Sequence, residues 1–129
     1  MAERIQSFEE FWPFYVREHS HPMNRALHFV GSTGALLCLG GFAMTGNPLL
    51  LASAPIVGYG CAWFGHFVIE KNRPASFSYP LWSFRADWKM YAYTWMRRMG
   101  AEVEKAHALA ATAQRATGPN GAAHAHAPG

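Results

Sequence analysis

The chain has 129 residues, which is enough for one compact domain of ordinary size. Half of the residues are hydrophobic and 15% are charged, whereas soluble domains usually have roughly 25% charged residues. This composition excludes an acidic or basic disordered protein. A net charge of +3 also excludes a nucleic-acid-binding protein recognised by charge density alone, so we expect no nucleic acid among the partners.

The first predicted element is a short amphipathic helix near the N-terminus. The segment Ser7-Phe8-Glu9-Glu10 has the pattern of a capping box, in which the serine side chain accepts a hydrogen bond from the backbone three residues later. Pro13 predicts a kink or a restart of this helix. Its aromatic face is formed by Phe8, Phe11, Trp12 and Tyr15.

A long segment without charged residues dominates the middle of the chain. No Asp, Glu, Lys or Arg occurs between Arg25 and Glu70, which leaves 44 consecutive uncharged positions. About 20 apolar residues suffice to cross the hydrocarbon layer of a bilayer, so the segment holds two predicted spans, over about residues 26–44 and 49–69. The tetrapeptide Thr45–Pro48 between them is typical of a turn. The sequence therefore predicts an all-α membrane protein built on a two-span antiparallel hairpin, with a soluble pair of core helices as the alternative.

The flanks of the hairpin predict its orientation. Six cationic residues and one acidic residue lie between Lys71 and Arg98, whereas the turn between the spans has no charge. Because Lys and Arg near the ends of spans stay on the cytoplasmic side, we expect an integral membrane protein with both termini in the cytoplasm. Two spans form only a thin wall around a site, which favours a homodimer.

A second amphipathic helix is predicted after the hairpin, over about residues 80–99. Its apolar residues recur at spacings of three and four, and its many Trp and Tyr residues suit the headgroup layer of a bilayer. Residues 108–129 consist mainly of Ala, Gly, Thr and Pro and are predicted to be a disordered tail. The predicted domain therefore covers residues 1–107.

Histidine residues concentrate at the predicted cytoplasmic mouth of the hairpin. His28 lies just inside the first span and His66 just inside the end of the second, so antiparallel spans bring them to a similar depth. His19 and His21 lie in the loop immediately before the first span, which is expected to begin at Pro22. Ionisable residues within spans are a functional hypothesis by default, and several imidazoles together suit non-haem iron or another metal ion that prefers nitrogen ligands.

Further polar residues share helix faces with these histidines. Asn24 lies four residues before the first span histidine, and Glu70 lies four residues after the second. Glu70 marks the membrane exit, accepts a hydrogen bond from the nearby imidazole or is an alternative ligand. Asn24 caps the helix, orients a neighbour or is likewise an alternative ligand. Asp87 is the only acidic residue in a cationic segment, for which pairing with Arg85 or Lys89 is the simplest interpretation.

Three motifs of this chain resemble a small membrane-protein family long described as a domain of unknown function. They are Phe14-Tyr15-Val16-Arg17-Glu18-His19 with His21-Pro22-x-Asn24-Arg25-x-Leu27-His28-x-x-Gly31, then Gly65-His66-x-x-x-Glu70-x-Asn72-Arg73-Pro74-Ala75, and Pro80-Leu81-Trp82-Ser83 with Asp87. The characterised fungal relative is an iron(II)-dependent 2-hydroxy fatty acid dioxygenase, which shortens its substrates by one carbon in phytosphingosine degradation.

The resemblance implies a membrane-bound Fe(II) dioxygenase whose partners are the lipid bilayer, O₂ and a fatty-acyl substrate. A hydrophobic groove between the hairpin and the amphipathic helix would hold the acyl chain, and Arg25 or Arg73 would meet its carboxylate. The iron ligands that the resemblance implies are His19, His28 and His66, with His21 and Glu70 close by.

Two functions of other classes remain open on the sequence. Because His28 and His66 lie at matched depth, they suit the axial positions of a b-type haem in a small electron carrier. That function would leave His19 and His21 unexplained. A non-enzymatic membrane adaptor, in which the histidines are incidental, is the other alternative.

Overall fold

The computed structural model describes residues 4–117 of the chain. Over this range the protein is entirely helical and has no strands, which confirms the predicted all-α class. A π-helical segment, Gly65–Glu70, continues the third helix, and a short 3₁₀ helix, Ala75–Phe77, precedes the fourth. The five α-helices are α1 (Phe8–Arg17), α2 (Pro22–Thr45), α3 (Pro48–Phe64), α4 (Pro80–Trp95) and α5 (Met99–Thr117).

Helices α2 and α3 form the predicted hairpin, and each begins with a proline behind a capping side chain. Nδ1 of His21 accepts a hydrogen bond from the backbone of Met23, and Oδ1 of Asn47 accepts one from Leu49. Gly46 ends α2 with a φ of 72°, a left-handed conformation that glycine adopts without strain. The turn chemistry expected from the sequence is therefore present.

Small residues allow the two long helices to approach each other closely. A Cβ atom added at Gly31 would lie 2.8 Å from Cβ of Cys61, and one added at Gly34 would lie 2.7 Å from the side chain of Val57. Positions later in α2 thus face positions earlier in α3, which is the antiparallel arrangement. Close backbone approach of this kind holds helices together where no hydrophobic force drives association.

The segments Pro22–Thr45 and Pro48–Glu70 are long and apolar enough to cross a membrane. Only 17% and 11% of their most apolar windows, respectively, are buried inside the protein. Core helices of a soluble protein would be covered on most sides, so this large uncovered apolar surface supports the membrane interpretation over the soluble alternative. Both segments extend slightly beyond the predicted spans because each helix starts at its proline.

The hydrophobic core lies beside the hairpin, where α1, α4 and α5 pack together. The hydroxyl of Ser7 accepts a hydrogen bond from the backbone of Glu10, as predicted, and α1 continues through Pro13 without a break in the helix. On the side of α4 that faces the hairpin, the ring of Tyr91 stacks on Phe29 of α2 with centroids 5.0 Å apart. Helix α4 therefore joins the hairpin to this core.

Helix α4 is shorter than the helix predicted over residues 80–99. Arg97, with a φ of 58°, separates it from α5. Its buried side carries Ser83, Ala86 and Met90. Three of the apolar residues that recur at helical spacing in the sequence, Leu81, Phe84 and Trp95, are exposed instead. Ala86 and Met90 belong to the same core cluster as the aromatic side chains of α1.

Helix α5 corrects the predicted start of the disordered tail. Residues 108–117 are helical because Ala-rich segments have high helix propensity and because α5 packs along α1. Nε1 of Trp12 donates a hydrogen bond to Oε1 of Glu102 at 2.8 Å, and Ala106 is buried. The remainder of the predicted tail, residues 118–129, lies outside the described residues.

Candidate metal centre

Three histidine side chains from separate parts of the chain meet at one buried point. The Nε2 atoms of His19, His28 and His66 lie 3.0 to 3.2 Å from one another. The exposed fractions of the three residues are 1%, 7% and 2%. Their ring planes are inclined at 78° to 88° to one another, so the three nitrogens face a common centre.

Local structure explains how each histidine reaches this centre. His19 follows α1 at a spacing of four residues from Tyr15, and the two rings stack with centroids 4.1 Å apart. His28 faces inward on α2, and the antiparallel register brings it opposite His66. The π-helical segment that contains His66 closes with a hydrogen bond from the backbone of Asn72 to the carbonyl of His66. Such widened turns often occur at functional sites.

Two of the imidazoles are oriented by acceptors on their outer nitrogens. Nδ1 of His19 lies 2.6 Å from the carbonyl oxygen of Tyr15. Nδ1 of His66 lies 2.7 Å from Oδ1 of Asn72, whose amide group donates to the carbonyl and the carboxylate of Glu18. Because both partners accept, Nδ1 carries the proton and Nε2 presents a free lone pair, as in metal-binding histidines.

A carboxylate lies beside the third histidine. Oδ1 of Asp87 is 3.9 Å from Nδ1 of His28 and accepts a hydrogen bond from the hydroxyl of Tyr15. Burial raises the pKa of Asp87 to about 7, and burial together with this carboxylate raises the pKa of Tyr15 well above its usual value. The expected pairing of Asp87 with Arg85 or Lys89 is wrong, because those cations lie over aromatic rings.

The electrostatics of the cluster suit a bound cation. Burial and the two neighbouring imidazoles lower the pKa of His19 well below its usual value, which favours the neutral ring. Neutral imidazoles whose Nε2 lone pairs face one another do not hydrogen-bond to each other. A central metal ion would accept the lone pair of each ring. Adjacent nitrogen ligands at about 2.1 Å from an ion are about 3.0 Å apart at right angles and about 3.4 Å apart in a tetrahedron. The observed distances lie in this range, so the three residues fit a metal ion.

The structure does not bring His21 into the cluster. Its side chain is exposed, and its Nδ1 lone pair is used to cap α2 by accepting from Met23 at 3.0 Å. Glu70 also lies outside the cluster, because its Oε1 accepts a hydrogen bond from the backbone of His21. Glu70 thereby ties the loop before α2 to the end of the second span, and Asn72 instead orients the imidazole of His66.

Asn24 supports the cluster from behind. It is completely buried, and its Nδ2 lies 3.5 Å from Oε1 of Glu70. A Cβ atom added at Gly65 would lie 1.9 Å from Oδ1 of Asn24. Asn24 therefore packs closely against the residue immediately before His66, and its role in orientation stays a prediction.

The two arginines implied as carboxylate partners have other contacts. Nη1 of Arg25 donates to the carbonyls of His19 and Ser20, both at 2.7 Å, and so holds the loop that carries the first histidine. Arg73 is exposed, with its guanidinium 5.4 Å from the ring centroid of Phe77.

An apolar groove of about 460 Å³ extends from the cluster along the hairpin. His28 and Asp87 line one end, and Leu39 and Leu51 line the end near the turn. Its size is typical of a pocket for a small organic ligand. The other lining residues are Ser32, Ala35, Ala54, Pro55, Gly58, Tyr59, Ala62, Phe84 and Trp88.

Sequence reasoning did not assign the supporting roles of Tyr15 and Asn72. Tyr15 lies one helical turn before His19, and Asn72 belongs to the second motif. Their closeness in sequence to His19 and His66 is the signal that could have identified them as supporting residues. Their other partners, Asp87 for Tyr15 and Glu18 for Asn72, come from distant parts of the chain, and no local pattern identifies them.

One comparison with known proteins assigns the chain to a family. A family model described as 2-hydroxy-palmitic acid dioxygenase Mpo1-like matches residues 5–99, which is most of the chain. The chain belongs to the Mpo1-like family. None of the curated proteins and none of the solved structures matches it.

The Mpo1-like region contains α1 to α4 and all three clustered histidines, whereas α5 lies almost entirely beyond it. The family resemblance inferred from the motifs is thereby confirmed. The name of the family implies dioxygenase activity towards 2-hydroxy fatty acids, and the buried histidines could hold the metal that such chemistry uses.

Proposed function

We propose that this Mpo1-like protein is an iron(II)-dependent dioxygenase that shortens 2-hydroxy fatty acids by one carbon. The observation that carries the proposal is the position of the three convergent Nε2 atoms at the end of an apolar groove. The groove suits an acyl chain, and the histidines suit a metal ion that binds the polar head of the same molecule. The family description supports this substrate class.

The ligand set supports iron(II) over a structural zinc ion. Structural zinc sites are closed by four protein ligands, commonly including cysteine, whereas three histidines on one side of an ion leave coordination positions open. Separations of 3.0 to 3.2 Å between the Nε2 atoms are close to those of adjacent ligands in a six-coordinate site. Open adjacent positions are what an oxygenase needs for its substrate and O₂.

The proposed reaction balances with O₂ as its only oxidant. A 2-hydroxy acid and O₂ give the acid one carbon shorter, CO₂ and water, while the bond between C1 and C2 breaks. The organic substrate loses four electrons, and O₂ gains them. Iron(II) would supply a site at which the 2-hydroxy carboxylate and O₂ bind next to each other.

The protein's own residues would position the substrate and the ligands. His19, His28 and His66 hold the metal, and Asn72 keeps the ring of His66 in the orientation that presents Nε2. The apolar walls of the groove exclude water and place the head of the acyl chain at the histidine end. The contacts of Arg25 support a role in holding the His19 loop, in place of the implied contact with the substrate carboxylate.

The proposed position in the membrane follows from the same arrangement. The two apolar segments would cross the bilayer with both termini in the cytoplasm, because cationic residues flank their open end and the turn at Gly46 has none. The histidine cluster would then lie near the cytoplasmic headgroups. An acyl chain in the groove would lie parallel to the lipid tails, so a substrate would enter the site directly from the bilayer.

The b-type haem alternative disagrees with the geometry. Axial nitrogens on opposite sides of a haem iron are about 4 Å apart with bonds of about 2 Å, and the porphyrin lies between them. The Nε2 atoms of His28 and His66 are only 3.2 Å apart, and that of His19 lies within 3.2 Å of both.

The test is an assay of the full chain purified in detergent and loaded anaerobically with iron(II). We expect 2-hydroxypalmitate and O₂ to give pentadecanoate, detected by mass spectrometry, while palmitate without the hydroxyl gives no product. His28→Ala should abolish the product, and the matched variant His21→Ala should retain it. A folded, iron-loaded protein that leaves 2-hydroxy acids of several lengths unchanged would contradict the proposal and favour the adaptor function.

A further inference from the structure

A second and much smaller cavity lies against the histidine cluster. Its volume is about 10 Å³, which is room for about one water-sized molecule. All three clustered histidines contribute to its lining, together with Ser83 and Asp87, which lie four residues apart on one face of α4. A ligand of this size is far smaller than a fatty acid.

Ser83 is the unexplained polar residue of this cavity. It is 2% exposed, and its hydroxyl has no hydrogen-bonding partner, although buried hydroxyls nearly always have one. A buried helical serine or threonine can donate to the carbonyl four residues earlier, as Thr94 does to Met90 in this same helix. The carbonyl of Tyr79 instead receives only the backbone N–H of Ser83. The hydroxyl is therefore available to a molecule in the cavity.

The small cavity adjoins the large groove at the histidine end. His28, Asp87, Tyr59 and Ala62 line both. A fatty acid in the groove would therefore approach the cluster from one direction, while a molecule in the small cavity would meet the same cluster separately. A dioxygenase needs this separation, because O₂ must reach the metal while the organic substrate occupies the groove.

We propose that dioxygen binds on the side of the histidine cluster that faces the small cavity, and that the hydroxyl of Ser83 donates a hydrogen bond to the dioxygen molecule there. This inference rests on the proposed function, since it places one of the two substrates of that reaction. Ser83 is thus a dioxygen-binding residue, distinct from the residues that hold the metal.

The test uses nitric oxide as the probe for dioxygen, titrated anaerobically into the iron(II)-loaded full chain. Absorbance and electron paramagnetic resonance report its binding without any turnover. Ser83→Ala should weaken nitric oxide binding about tenfold, as expected for one lost hydrogen bond, while the iron content stays the same. Ser83→Val should weaken it further, because the added methyl groups fill the cavity. Ser53→Ala is the matched control, because its hydroxyl bonds to the carbonyl of Leu49, far from the cluster.

Each other result overturns the inference in a recognisable way. Unchanged affinity in Ser83→Ala, with iron bound, would show that the hydroxyl does not contact the diatomic ligand and would leave the proposed function intact. Tighter binding in that variant would mean that Ser83 holds a water molecule that nitric oxide must displace. A wild-type chain that is folded but binds no iron would overturn both the inference and the proposed function.

Discussion

Asn72 lies between His66 and Glu18, accepting from the imidazole at 2.7 Å and donating to the carboxylate at 2.7 Å. One amide side chain thus connects the end of the second span with the end of α1. These two elements carry two of the three clustered histidines, so the spacing within the cluster depends on a polar contact outside it. Partners of this kind usually matter for metal affinity almost as much as the ligands do.

Asn72→Ala should therefore weaken metal binding without removing a ligand. We expect the affinity for iron(II) to fall about 10-fold to 100-fold, because the ring of His66 loses the acceptor that fixes its orientation. Competition with a chromophoric chelator measures the change. Asn47→Ala is the control, since Asn47 caps α3 at the turn, and this variant should lose some thermal stability and no metal affinity. Equal iron affinity in Asn72→Ala and the wild type would contradict the assigned role.

The choice of ligands among the four neighbouring histidines is a second prediction. His19→Ala, His28→Ala and His66→Ala should each lose stoichiometric metal, because two neutral imidazoles alone bind iron(II) weakly. His21→Ala should keep its metal, since the side chain is exposed and caps a helix. Metal analysis of the four purified variants after identical loading decides the point. Metal loss in His21→Ala equal to that in the others would mean that the fourth histidine also binds.

Much of this site could be predicted from the sequence because the hairpin is strongly determined. A segment without charge and a Gly-Asn-Pro turn fix two antiparallel spans, and this topology alone places His28 near His66. Residue spacing does not distinguish His19 from His21, because the difference depends on how the loop turns between α1 and α2, and the family resemblance alone favoured His19. Only the three-dimensional structure shows that Arg25 holds that loop with His19 pointing inward.

The supporting contacts were less predictable, and the reason is physical. Asp87 has cationic neighbours in sequence, yet its hydrogen bond comes from Tyr15 in another helix. The packing of α1 against α4 brings Asp87 and Tyr15 together, and the spacing of residues within either helix does not predict this contact. The helical extent of α5 was missed for a related reason: composition indicated disorder, whereas packing of Ala106 against α1 stabilises the helix.

Gly65→Ala provides a test of the packing behind His66. The added Cβ would lie 1.9 Å from Oδ1 of buried Asn24, so either the backbone at position 65 or the side chain of Asn24 must shift. We expect a loss of about 1 to 3 kcal/mol in stability and a lower iron affinity, measured by thermal unfolding in detergent and by chelator competition. Gly60→Ala is the matched control, because a Cβ there meets nothing within 4 Å and alanine favours the helix. Equal melting temperatures for the two variants would contradict the close contact.

Ala54→Leu tests whether the large groove holds the acyl chain. Ala54 is buried in α3 and lines the groove towards its far end, so a leucine there should fill the space that a long chain needs. We expect KM for 2-hydroxypalmitate to rise at least tenfold, with little change for a 2-hydroxy acid short enough to end before this position. The iron content should stay unchanged, because the substitution lies away from the histidines.

Ala52→Leu is the matched control, since Ala52 is exposed and does not line the groove. This variant should leave the KM for both substrates unaffected. A uniform loss for short and long substrates would show that the variant damages the site itself, and no change for either would place the acyl chain elsewhere.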